Sequence, residues 1–189
     1  MGKFSESISN VHKEFIEKQY VFFVATAPIS QDGHVNVSPK GMDSFRVLSP
    51  SKVAYMDVVS SGNETSAHIL ENERITFMFC SFEDSPNILR LYGKGYAVLP
   101  GDVEWEDISK HFSIPVSIRQ IIVSDIHKVQ TSCGYGVPLY TYKGERDNHQ
   151  KWSEKAGSEG INEYKLKNNL ISLDGLPTAL AKKGNGIYT

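Results

Sequence analysis

Apolar and polar positions change their period several times along the chain, and each change marks an element. Between Ser5 and Lys18, Ile8, Val11, His12, Phe15 and Ile16 fall at helical spacing with serines placed to cap them, which predicts an amphipathic N-terminal helix. Tyr20 to Ile29 (YVFFVATAPI) is rich in the β-branched and aromatic residues that suit a pleated surface. The Asp32-Gly33 pair after it predicts a tight hairpin turn at positive φ, with a second strand from His34 to Ser38 returning antiparallel. Asp43 to Leu48 and Val53 to Val58 read as two more strands joined by a turn at Ser49-Pro50-Ser51-Lys52, and a short helix is expected from Asn63 to Asn72.

Arg74 to Phe82 (RITFMFCSF) is nearly continuous apolar sequence, the pattern of a central strand buried on both faces. Leu89 to Leu99 is a longer strand containing Gly93 and Gly95, and glycines inside a strand mark a bulge or a close approach. Asp102 to Phe112 opens on an aspartate suited to capping and carries Val103, Trp105, Ile108 and Phe112, so it reads as a helix. Gln120 to Thr131 alternates as the last long strand. No long helix separates consecutive strands as a parallel crossover would require, so the pattern predicts an antiparallel meander or barrel. From Ser132 the chain turns to closely spaced glycines and aromatics. Glu145 to Lys155 can be helical, but apolar periodicity is too weak there for a separate core, and the segment is expected to pack as an arm on a neighbouring subunit.

Composition narrows the function classes. A length of 189 residues fits one domain. A net charge of −2 offers no electrostatic pull toward nucleic acid or an anionic membrane, which leaves small molecules and other proteins as partners. Met1-Gly2-Lys3-Phe4 leads into polar residues rather than a long apolar run, so a cytoplasmic protein without membrane contact is expected. Cys80 and Cys133 lie far apart, with Cys80 read as a buried core thiol. The sequons at Asn36-Val37-Ser38 and Asn63-Glu64-Thr65 are read as accidental. The six histidines form no HExxH or HxH and no metal is expected, and GxSxG, P-loop and strand-linked GxGxxG motifs are absent.

Two neighbouring stretches carry candidate chemistry. Lys40 ends a strand in SPKG, where an ammonium can reach a phosphate, and Ser38 lies on the same face by period-two alternation. The turn Ser60-Ser61-Gly62-Asn63-Glu64-Thr65 opens a helix whose first amides are unpaired and whose dipole favours an anion. The same residue types serve equally for ordinary capping. Arg90 and Arg46 are candidates to complete an anion clamp, or are exposed partners of carboxylates. Tyr135, Tyr140, Tyr142 and Trp152 could face a flat ring or a dimer interface.

The segments VNVSPKGMDSFRVL, AYMDVVSSGNETSAHILENERI, NILRLYGKG and SCGYGVPLY resemble the pyridoxamine 5'-phosphate oxidase-related family of FMN-binding split-barrel proteins, over Phe15 to Pro177. The resemblance implies an α+β, mainly β fold: a six-stranded antiparallel Greek-key split β-barrel flanked by helices. It implies one FMN-binding domain over residues 1–189, with residues 132–189 as a C-terminal arm at a homodimer interface, and FMN held between subunits. Carried over residue by residue, Val37, Ser38 and Lys40 lie along the flavin, with Lys40 at its phosphate. The family's serine-arginine-lysine turn is replaced here by Ser60, Ser61, Gly62, Asn63 and Thr65, without a cation. Arg90 matches a polar flavin contact, and Arg146 and Trp152 match the second subunit's arginine and aromatic. The arginine-x-histidine pair of true pyridoxamine phosphate oxidases is replaced by Arg146-Asp147-Asn148-His149, which argues against vitamin B6 phosphate as substrate.

The resulting expectation is an FMN-dependent oxidoreductase acting on an unidentified small molecule or electron donor, with no catalytic side chain assigned. The alternative is a non-catalytic flavin- or haem-binding protein for sensing, storage or transfer. A third reading, a cofactor-free acid-base enzyme, would require residues such as His68 and Asp57 to meet in space.

Overall fold

The structure, a computed structural model, describes residues 2–184. In chain order it contains β1 (Lys3–Ser5), α1 (Asn10–Glu17), β2 (Phe22–Thr26), β3 (Asn36–Lys40), β4 (Phe45–Ser49), β5 (Lys52–Val58) and α2 (Glu64–Asn72). It continues with β6 (Arg74–Cys80), β7 (Ile88–Val98), α3 (Trp105–Ser109), β8 (Ile118–Ser132), α4 (Asn148–Asn168) and α5 (Ala179–Lys182). The strands form one antiparallel sheet in the order β3-β2-β6-β7-β8-β5-β4, and β1 pairs with β8. The fold is thus mainly β with flanking helices, but the six-stranded barrel is corrected on two points. The sheet has eight strands among the described residues, and β3 and β4 end it without pairing with each other, so the barrel is not closed. The hidden strand is β1, whose three exposed residues carry no alternation and form a strand only because β8 extends far enough to pair with them.

The core follows the two-residue period. Phe22 and Val24 of β2, Phe77 and Phe79 of β6, and Leu89 and Leu91 of β7 point to one side, where Phe45 and Tyr55 meet them. β6 alternates between buried and half-buried positions instead of being covered on both faces as its apolar run suggests. Near Gly93 the β7–β8 register shifts, and a Cβ there would lie 2.3 Å from Ser124 Oγ and 2.7 Å from the Asp125 carbonyl, so the glycine marks a close approach. Two local expectations fail. Gly33 is not at positive φ, because the β2–β3 connection is a longer loop tied down by Asp174, which accepts from the His34 amide at 2.8 Å. Asp102 does not cap α3; its carboxylate accepts from the Leu99 amide, and the helix starts after Glu104.

The tail returns to its own chain. α4 bends at Gly157, where φ 63 and ψ −179 define a conformation that only glycine adopts freely. The bend lets both ends of α4 reach the segment after β5: a His149 ring nitrogen lies 2.9 Å from the Val59 carbonyl, and Asn169 donates to the Ser60 carbonyl at 2.9 Å. Replacing Gly157 with Ala is expected to cost about 1–3 kcal/mol through backbone strain alone, since a Cβ there meets nothing within 4 Å. Equilibrium urea unfolding measures that loss.

Candidate functional site

The turn after β5 and the end of β3 face each other across a cavity of about 160 Å³. It is lined by Asn36, Ser38, Lys40, Asp57, Ser60 to Thr65 and Arg119. Seven residues anticipated from sequence, Ser38, Lys40, Ser60, Ser61, Gly62, Asn63 and Thr65, therefore line one cavity.

Beneath the cavity lies a buried charge network that sequence reasoning missed. Asp57 and Arg119 are each 2% exposed, because β5 pairs with β8 in a register that sets Asp57 opposite Gln120 and next to Arg119. The Arg119 Nε and Nη2 groups donate to Asp57 Oδ2 at 3.1 and 2.8 Å, Gln120 Nε2 donates to the same oxygen at 2.7 Å, and Lys40 Nζ donates to Oδ1 at 3.2 Å. Burial alone would push the Asp57 carboxyl up. Arg119, then Lys40, and the Gln120 hydrogen bond outweigh it and hold the pKa at about 2. The carboxylate is therefore charged at neutral pH and fixes both cations. Arg119 Nη1 also donates to the Gly62 carbonyl at 2.7 Å, which shapes the turn before α2.

That turn leaves the helix start open. Asn63 precedes α2 but makes no side-chain cap bond. Its amide group turns inward, accepting from Gln120 at 2.8 Å and donating to the Asn169 carbonyl at 3.1 Å. The first amides of α2 thus keep no side-chain acceptor beside a cavity that carries Lys40 and Arg119. Thr65 Oγ1 accepts from Asn36 Nδ2 at 3.1 Å, and Asn36 also donates to Thr26 Oγ1, which pairs with His68 at 3.0 Å. The side chains of Asn36 and Asn63 are thus engaged in internal hydrogen bonds, and Asn63 is 2% exposed.

Lys40 also borders a second, larger cavity of about 770 Å³, whose walls include Pro39, Met42, Phe82, Tyr140, Tyr142 and Arg146. Tyr142 stacks on Tyr20 with ring centroids 3.6 Å apart and planes 1° from parallel. The remaining expected residues are distributed differently. Val37 lies on β3 but is 62% exposed on the face opposite Ser38. Arg90 lines neither cavity and donates to Ser132 Oγ at 3.2 Å. Trp152 packs against His149 and Tyr164, and Tyr135 is exposed. Arg46 is taken up by Asp43, whose carboxylate accepts from Nη1 and Nη2 at 2.9 Å. His68 and Asp57 have separate partners and form no acid-base pair.

An antiparallel open barrel whose edge-strand lysine meets an uncapped helix start defines the class, and comparison with known proteins places it. The pyridoxamine 5'-phosphate oxidase family profile matches residues 8–133. A curated relative from Aspergillus flavus, the pyridoxamine 5'-phosphate oxidase family protein ustO, is 40% identical over 208 residues, covering 100% of this chain and 83% of its own length. The chain belongs to the pyridoxamine 5'-phosphate oxidase family. Among solved structures, a variant of HupZ from Group A Streptococcus superposes with a TM-score of 0.53 at 17% identity, over 66% of this chain and 99% of that one. A candidate pyridoxamine 5'-phosphate oxidase from Lactobacillus delbrueckii superposes with a TM-score of 0.50 at 15% identity, over 66% and 98%. These likenesses concern the fold.

Proposed function

We propose that the protein binds FMN as a homodimer and serves as an oxidoreductase for a small molecule or electron donor. The observation that carries this reading is the pairing of the two cavities through Lys40. The small one has the size and donors for a phosphate monoester, and the adjoining apolar one has aromatic walls for a planar ring. Lys40, the α2 amides and the Thr65 hydroxyl would hold the phosphate, while Arg119 and Asp57 keep Lys40 and the turn in place. Tyr20, Tyr142 and the β3 edge would orient the ring. When bound, FMN supplies hydride or electron transfer, and the chain contributes binding, orientation and exclusion of water. Val37 on β3, whose outer edge pairs with no other strand among the described residues, and Val35 just before it are exposed and support a partner subunit along that edge.

Replacing Lys40 with Ala is expected to weaken FMN binding by about 1.5–3 kcal/mol, the range for a hydrogen bond to a charged group, while riboflavin binding changes little. Fluorescence quenching titrations of both flavins test this, and an equal loss for both would remove Lys40 from the phosphate. Reduction of the bound flavin by NADH or NADPH under anaerobic conditions separates an oxidoreductase from a protein that only holds its flavin.

A further inference from the structure

Asn36 ties the β3 side of the small cavity to its α2 side. It opens β3, pairs across the strands with Thr26, and shares a face with Ser38 and Lys40 by the two-residue period. Asn36 and Thr65 both line the cavity. The Asn36 amide nitrogen carries two hydrogens, and both are spent: Nδ2 donates to Thr65 Oγ1 at 3.1 Å and to Thr26 Oγ1 at 3.2 Å. Thr26 is held in turn by the fully buried His68, whose Nδ1 lies 3.0 Å from its hydroxyl oxygen. The chain of contacts thus leaves α2 at His68, passes through β2 and β3, and returns at Thr65 to the first turn of α2, at the cavity.

A threonine hydroxyl has one hydrogen to donate as well as lone pairs that accept. The Thr65 oxygen is engaged by Asn36, and no hydrogen bond uses the Thr65 hydrogen among the described residues, although the residue is only 7% exposed. The Tyr55 hydroxyl, fully buried and near enough to Thr65 to be influenced by it, makes no hydrogen bond. A buried donor without an acceptor costs free energy that a ligand oxygen can recover. We propose that Asn36 is a positioning residue: by giving a hydrogen to Thr65 Oγ1 it commits the Thr65 hydroxyl to donate into the cavity, to an anionic oxygen of a phosphorylated ligand. The proposal rests on the phosphate reading of the cavity but not on the flavin. With both amide hydrogens spent, Asn36 has none left for the ligand and acts through Thr65. A bond from that hydroxyl to an ionised oxygen is stronger than one to a neutral oxygen, so the gain falls on the phosphorylated ligand.

The test is a double-mutant cycle on the full chain, Asn36→Leu and Thr65→Val singly and together, with FMN, riboflavin and inorganic phosphate as probes. Thr65→Val is expected to bind FMN roughly 10- to 100-fold more weakly and Asn36→Leu roughly 3- to 10-fold, with riboflavin affinity little changed. The double variant should bind FMN no more weakly than Thr65→Val, because the hydroxyl through which Asn36 acts is already gone. Asn36→Ala takes the place of Asn36→Leu in the cycle if the leucine variant melts within the assay range. An amide that only supports the fold would weaken both flavins alike, or its loss would add in full to that of Thr65→Val. If the wild-type chain binds FMN, either of those results, or unchanged FMN binding by Asn36→Leu, overturns the inference and leaves the flavin reading standing. If neither flavin binds, the cycle is read from melting temperatures with inorganic phosphate at matched ionic strength. A rise in the wild type that is smaller in Asn36→Leu, and that the double variant shares with Thr65→Val, carries the inference without the flavin. A rise equal in the wild type and Asn36→Leu, additive losses, or no rise in any chain overturns it.

Discussion

Replacing Asp57 with Asn is expected to lower the unfolding free energy by about 3–5 kcal/mol, the range for removing one partner of a buried ion pair. The residue is 2% exposed and accepts from Arg119, Gln120 and Lys40, so the amide leaves a buried guanidinium without a counter-charge and presents donors to donors. The midpoint of guanidinium unfolding should fall with an unchanged slope. The pH dependence has a definite sign. The folded pKa of about 2 lies below the ordinary 3.8, so the Asp57 contribution is complete above roughly pH 4 and is lost as pH falls through the window down to about 2. The variant should lack that part of the acid slope. A wild-type acid profile indistinguishable from that of Asp57→Asn would show that the carboxylate is not paired in solution.

The second large effect lies in the core. Phe77 is fully buried and packs edge-on against Phe45 and Tyr55, with centroids 5.3 and 6.0 Å away. Truncation to Ala should cost about 3–5 kcal/mol, combining lost transfer energy with a cavity that the sheet cannot close. Because Phe45 and Tyr55 lie on the strands that carry the chain from Lys40 to Asp57, the loss should also loosen the phosphate cavity. A cost below about 1 kcal/mol would mean that the aromatic cluster repacks.

These two sites show what the sequence can and cannot display. Lys40 and the Ser60–Thr65 turn were legible because their signals are local: a strand ending in lysine and glycine, and a run of small polar residues opening a helix. The strands were legible for the same reason, through alternation and turn residues. Arg119, Gln120 and Asn169 were not, because their roles depend on burial beside residues far away in sequence. Asp57 and Gln120 face each other only through the β5–β8 register, and Asn169 reaches the turn after β5 only because α4 bends at Gly157. A signal was nonetheless present. A carboxylate within the apolar run VAYMDVV and an arginine before IIV each put a charge where a side chain must be buried, and such charges call for a partner. β1 stayed hidden because a three-residue edge strand takes its identity from its neighbour. The resemblance puts Arg90 at a polar flavin contact and Trp152 at a contact from the second subunit; within one chain their side chains engage Ser132 and the α4 aromatics.

The central claim, that the cavity between Lys40 and the start of α2 holds the phosphate of a flavin, is tested most directly by comparing FMN with riboflavin on the purified chain. Visible absorbance and fluorescence titrations should show FMN binding at least roughly 10-fold more tightly, as expected if at least one charged hydrogen bond reaches the phosphate. Equal affinities for the two flavins, or no binding of either, would contradict the account.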